Sequence, residues 1–186
     1  VVTAFDAFGN KASLKFRIIP GKRQHQKVTA DYIKVFKWNR SNTFENNDLK
    51  IEMDKGSLYD DIGFKWKMTP SHSPYYSAIH QVHVKSEPVH KNYALSIRCP
   101  ELPKNLQSKA LIVMLNGSKS SPTAIGGAYS DGWIVAQCNL FGDFTVAVDQ
   151  IAPTITSLSI QNKTKLIDQH KIAFRITDNL SGIKSY

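Results

Sequence analysis

Apolar residues recur at every second position along most of this chain, and that period predicts strands with one dry and one wet face. Leu14, Phe16 and Ile18 alternate with Lys15 and Arg17; Leu49, Ile51 and Met53 alternate with Lys50 and Glu52. Ile62, Phe64, Trp66 and Met68 form the longest such series, and Tyr93, Leu95 and Ile97, then Phe144, Val146 and Val148, then Ile172, Phe174 and Ile176 repeat it. One wet face per strand favours antiparallel sheets over a parallel α/β arrangement. The run Ala110 to Leu115 is apolar throughout, which predicts a central strand covered on both faces. Turn-forming pairs separate these runs: Gly9-Asn10, Pro20-Gly21, Asn116-Gly117, Gly126-Gly127, Asp131-Gly132 and Ser181-Gly182. Asp31 to Trp38 fits either one helical turn or a strand with a phase slip, and the β-formers Ile33, Val35 and Phe36 favour the strand. The expected class is all-β, built of antiparallel β-sandwich (immunoglobulin-like) modules.

Two positions interrupt the pattern. Pro20-Gly21-Lys22 ends a strand and opens a polar stretch, and Ile151-Ala152-Pro153 follows a long strand ending at Asp149. Proline cannot donate to a ladder, so Pro153 marks a boundary. The chain is therefore expected to divide into 1–20, the last strands of one domain; 21–150, a full β-sandwich; and 151–186, the start of a third domain. On this reading it is a piece of something longer.

Charge adds one exclusion. The net charge of +9 is spread along the chain, as +2 over 1–20, +4 over 21–150 and +3 over 151–186. Most lysines alternate with apolar residues, as on a solvated strand face, and the only local cluster is Lys22-Arg23 with Lys27. A nucleic-acid binder concentrates its charge and interleaves aromatics with it, so no nucleic-acid partner is expected. No apolar run approaches the roughly 18 to 20 residues of a spanning helix, so no membrane span is expected either.

The terminal pieces resemble opposite ends of a bacterial immunoglobulin-like module. Residues 1–19, with Ala4, Asp6 and Gly9-Asn10 before Leu14 to Ile18, are similar to a closing hairpin. Asp149, Ala152-Pro153-Thr154-Ile155 and Thr177-Asp178-Asn179-Leu180-Ser181-Gly182-Ile183 are similar to an opening one. In the middle stand Gly56-Ser57-Leu58-Tyr59-Asp60-Asp61, Pro88-Val89-His90-Lys91, Gly126-Gly127 and Phe141-Gly142-Asp143-Phe144-Thr145-Val146. These resemble the region that follows the catalytic domain in exported Bacteroidetes peptidases of the M23 (LytM-like) zinc family. The resemblance implies a periplasmic, cell-envelope or secreted parent. It also implies a zinc-bearing catalytic domain that cuts peptidoglycan cross-links and lies N-terminal to Val1. The family holds zinc with a His-x-x-x-Asp pair and a His-x-His pair, and His25, His72, His80, His83, His90 and His170 supply neither spacing. No catalytic residue and no cofactor are therefore assigned to this segment.

His80, His83 and His90 are the best metal-like cluster, since zinc takes three or four converging N, S or O ligands. On a strand, positions 80 and 83 point to opposite faces, so only a bulge would bring them together. Asp54 and Asp60-Asp61 lack a calcium-loop pattern and read as turn residues. Cys99 and Cys138 could pair in an exported protein, or serve as small buried hydrophobes. Trp38, Trp66 and Trp133 with Tyr75-Tyr76 suggest a sugar-stacking platform; Trp66 reads as core, and Tyr75 and Tyr76, in a loop after Pro70 and Pro74, are the exposed ligand-binding candidates. The expected function is non-catalytic: spacing, positioning or substrate targeting for the parent peptidase. A glycan- or peptidoglycan-binding module and a structural adhesin-type spacer are the alternatives.

Overall fold

The structure, a computed structural model, describes residues 1–17, 31–117, 120–163 and 171–185. The expected boundary at Pro20-Gly21-Lys22, the basic group Lys22, Arg23 and Lys27, and His25 and His170 lie outside the described residues. Strands β1 (Val2–Phe5) and β2 (Lys11–Leu14) form a hairpin by themselves. There follow β3 (Lys34–Phe36), β4 (Asn42–Glu45), β5 (Leu49–Met53), β6 (Ile62–Phe64), β7 (Trp66–Thr69), β8 (Ile79–Val82) and the long β9 (Pro88–Arg98). A short helix, α1 (Lys104–Gln107), precedes β10 (Ala110–Leu115), β11 (Thr123–Gly126), β12 (Ala128–Ser130), β13 (Trp133–Leu140) and β14 (Gly142–Val148). A second hairpin, β15 (Thr154–Ser157) with β16 (Phe174–Thr177), completes the described elements.

Strands β3 to β14 build an antiparallel sandwich. One five-stranded sheet has the order β11-β10-β14-β8-β7, the other β12-β13-β9-β5-β4, and β3 pairs with β6 in a small third sheet. The period-two residues of both large sheets meet between them. Leu49, Ile51 and Met53, Tyr93, Leu95 and Ile97, and Ile134, Ala136 and Cys138 face Ile112, Met114, Phe144, Val146 and Val82, all buried in one cluster. Fully burying a Leu, Ile or Phe side chain contributes about 1.5–3 kcal/mol, so this layer is the main source of stability.

The apolar run of β10 is covered on both faces, as its composition predicts. Ala110, Ile112 and Met114 enter the central core. Leu111 and Val113 form an outer cluster with Ala147 of β14, and Tyr75, Ala124 and Leu180 pack on it.

Two corners carry the chain from one sheet to another, the first inside an expected strand and the second at an expected turn. Ile62 to Met68 is not one strand: the ladder breaks at Lys65, with β6 paired to β3 and β7 paired to β8. Phe64 is fully buried and Trp66 packs on the same core, so the inward phase survives the change of sheet while the partner does not. Gly127 makes the second corner, between β11 of one large sheet and β12 of the other. Its φ of +123° is a glycine conformation, and a Cβ there would stand 2.9 Å from the Val135 carbonyl oxygen.

Cys99 and Cys138 are both buried and unpaired. Cys138 lies opposite Tyr93 on β9, and Cys99 is six residues further along that chain. At about 3.4 Å per residue the two thiols are roughly 20 Å apart, far beyond the reach of a disulfide. Among the described residues no helix is long and apolar enough to cross a membrane.

Candidate functional site

Two of the three candidate histidines, His80 and His83, lie at the corner between β6 and β7. His80, on β8, lies opposite Phe144 and faces the core, where it is buried. The Trp66 indole Nε1–H donates to its Nδ1 at 3.3 Å, which leaves the ring proton on Nε2. His83 follows β8 in a left-handed conformation, φ 53°, and its backbone N–H donates to the Lys65 carbonyl at 2.8 Å. Its ring stacks on Phe64 and meets Phe141 edge-on, with centroids at 6.1 and 5.0 Å. Burial pushes both imidazoles down to about 4, aided at His83 by the nearby Lys65 charge and opposed at His80 by Asp48. Both rings are therefore neutral at physiological pH, and His83 Nδ1 is buried without a hydrogen-bond partner among the described residues. A cleft of about 480 Å³ opens beside this corner, lined by Asp31, Tyr32, Ile33, Lys65, Lys67 and His83.

His90 is elsewhere. It is exposed on β9, its Nδ1 is 3.0 Å from the Tyr59 hydroxyl, and its ring stands edge-on to the Tyr59 ring at 5.0 Å. Among the described residues no three His, Cys, Asp or Glu side chains converge to hold a metal. The cysteines do not supply a nucleophile either. Burial raises both thiols, and each Sγ–H donates to a carbonyl at 3.2 Å, Cys99 to Tyr76 and Cys138 to Leu140.

Tyr75 and Tyr76 part company. Tyr75 packs on the outer cluster of β10 and β14. Tyr76 is partly exposed, and its backbone is tied on both sides: its N–H donates to the Val146 carbonyl and its own carbonyl accepts from Cys99. The tryptophans are dispersed as well. Trp66 lies between Phe44 and His80, and Trp133 is covered by the Lys50 ammonium, 4.7 Å from its ring centre.

Trp38 is different: it is 49% exposed on a turn that is hydrogen-bonded on every side. The buried Asn42 accepts from Lys37 N–H at 2.7 Å, and its amide donates to the carbonyls of Lys37 and Arg40 at 2.8 and 3.0 Å. Asp61 accepts Trp38 N–H at 3.1 Å and pairs with the Lys37 ammonium at 2.8 Å, which holds its carboxyl below the usual range. Gly56 N–H donates to the Trp38 carbonyl at 2.8 Å. The turn borders a cleft of about 250 Å³ lined by Lys37, Trp38, Asn39, Arg40 and Asp61. The local signal for it is the run Trp38-Asn39-Arg40-Ser41-Asn42, turn-formers between β3 and β4, but the closures from Gly56 and Asp61 are non-local.

At the far end of the sandwich, Asp149 holds the chain that follows β14. Its Oδ1 accepts Ile151 N–H at 3.1 Å and its Oδ2 accepts Ser181 N–H at 2.9 Å. Asp178 accepts the N–H groups of Leu180 and Gly182 at 3.0 and 2.7 Å. These bonds set Leu180 where it packs on the outer cluster.

No curated protein matches the chain. Residues 33–149, the span of the sandwich from β3 to β14, match the family of the Zu5-like domain. The chain belongs to the Zu5-like domain family.

Proposed function

We propose that the chain is a non-catalytic accessory region of a cell-envelope protein, whose sandwich spaces and positions an M23-type peptidoglycan endopeptidase domain lying N-terminal to Val1. The observation that supports a spacing role is the joint after β14, which fixes the segment C-terminal to the sandwich, while the link to an N-terminal peptidase domain rests on the resemblance. One carboxylate, Asp149, bonds the segment leaving the sandwich and the loop after β16, and Leu180 seats on the outer cluster. A spacer needs such a joint, because a bonded and packed connection holds its neighbour in one orientation where a bare linker would not. The peptidase partner, its zinc and the envelope location rest on the sequence resemblance, and the all-β sandwich is compatible with them. In this reading the module's partners are its own catalytic domain and the peptidoglycan that domain cuts.

The test compares the parent polypeptide with a version lacking residues 33–149. Deletion is expected to reduce release of fragments from intact sacculi while leaving cleavage of a soluble cross-linked peptide unchanged. A parent reading frame without a His-x-x-x-Asp and a His-x-His would overturn the peptidase assignment.

A further inference from the structure

We propose that the Trp38 turn is a binding site for an anionic saccharide, a pyranose ring carrying a carboxylate. The inference goes beyond the positioning role and does not depend on the catalytic partner proposed above. It starts from how much of the surface is already ordered. Exposed side chains on loops normally lose freedom on binding, and a rigid backbone removes part of that cost. Here the peptide groups around Trp38 are bonded to Asn42, Asp61 and Gly56, so the turn is fixed before any ligand arrives.

The groups it presents are chemically coherent. Half of the Trp38 surface is open, although the other two tryptophans are packed on or covered. A flat apolar indole face receives the C–H face of a sugar ring. Asn39 offers an amide that both donates to and accepts from hydroxyls. Among the described residues no carboxylate pairs with the Arg40 guanidinium, whereas Lys37 is neutralised by Asp61 at 2.8 Å. The cleft therefore holds one uncompensated cation of fork geometry, which matches one carboxylate. A nucleic acid would bring a charge at every nucleotide, and the described lining of this cleft holds one surplus positive charge beside an acidic Asp61. A neutral sugar would leave the Arg40 charge without a purpose.

The first probe is oligogalacturonate, titrated calorimetrically into the whole chain at low ionic strength. A neutral galactan oligomer and polyglutamate of matched charge serve as comparators. Saturable binding of the uronate is expected, weakened about tenfold or more by Trp38→Ala and by Arg40→Gln, with both comparators at least tenfold weaker. Both substituted side chains are on the surface turn, and a urea midpoint equal to that of the parent chain shows that each variant is folded. Three results would overturn the proposal: no uronate binding at millimolar concentration, binding undiminished in folded Trp38→Ala, or polyglutamate binding as tightly as the uronate.

Discussion

The central sandwich and the two flanking hairpins are written in the same alternating pattern, yet they end in opposite environments. Leu49 and Ile51 of β5, and Leu95 and Ile97 of β9, are completely buried. Val2 and Leu14, a facing pair of the first hairpin, and Ile155 and Phe174 of the second, each keep more than half of their surface exposed. The ladders themselves are regular in both places, with four aligned pairs in each hairpin. What differs is the second layer. A sheet face becomes a core only when another sheet closes over it, and among the described residues neither hairpin has one. Period-two alternation thus specifies a strand and its apolar side, but not the partner that side will meet.

The largest expected contrast comes from truncating an aromatic in each region. Phe64 stacks on Phe36 with ring centres 4.3 Å apart and is fully buried, so Phe64→Ala should destabilise the chain by about 3–5 kcal/mol in urea unfolding. Phe174→Ala, on the exposed face of β16, should change the same transition by about 0.5 kcal/mol or less. Equal losses would erase the distinction between the two regions.

A second effect, of comparable size when both imidazoles are counted, is the acid sensitivity that His80 and His83 give the sandwich. Burial holds His80 and His83 down at about 4 in the folded chain, against an ordinary value near 6.5 when unfolded. Between those values the unfolded state binds more protons, so the stabilisation is complete above about pH 6.5 and is lost as pH falls toward 4. The slope reaches about 1.4 kcal/mol per pH unit for each group at most. Urea midpoints measured from pH 7.5 down to 4.5 should fall, and His83→Gln should flatten the decline. A midpoint independent of pH over that window would show that the rings are not buried neutral.

Next in size is the staple under the Trp38 turn. Asn42→Ala removes three hydrogen bonds from a buried position and leaves their backbone partners to find water, at a cost of about 1–3 kcal/mol. The smallest effect is at the joint. Asp149→Asn should change global stability by about 0.5 kcal/mol or less but speed amide exchange at Ser181 and Leu180, read by NMR. Unchanged exchange there would remove the physical basis for a fixed orientation.

These contrasts also show what was legible in the sequence. The inward residues of β5, β9 and β14 follow from alternation, and the doubly covered β10 follows from its unbroken apolar run. The turn at Gly126-Gly127 was legible, but the corner at Lys65 was hidden because the inner faces on either side of it share one phase, so the pattern continues while the partner changes. The exposed Trp38 was hidden for a similar reason. Its turn is closed by Asn42, Asp61 and Gly56, and only the first of these is near in sequence. Tyr75, legible only as a loop aromatic, is held by the outer cluster, a contact between segments some forty to seventy residues apart. Long-range packing decides such positions, and a single chain read locally does not carry it.

Amide hydrogen exchange across the whole chain tests the central comparison most directly. The account predicts that amides of β9, β10, β13 and β14 exchange only with global unfolding, while those of β1, β2, β15 and β16 exchange through local opening at far lower free energy. Hairpin amides protected as strongly as the sandwich core would contradict it, and would mean that both hairpins are covered in solution by a layer that the fold described above does not contain.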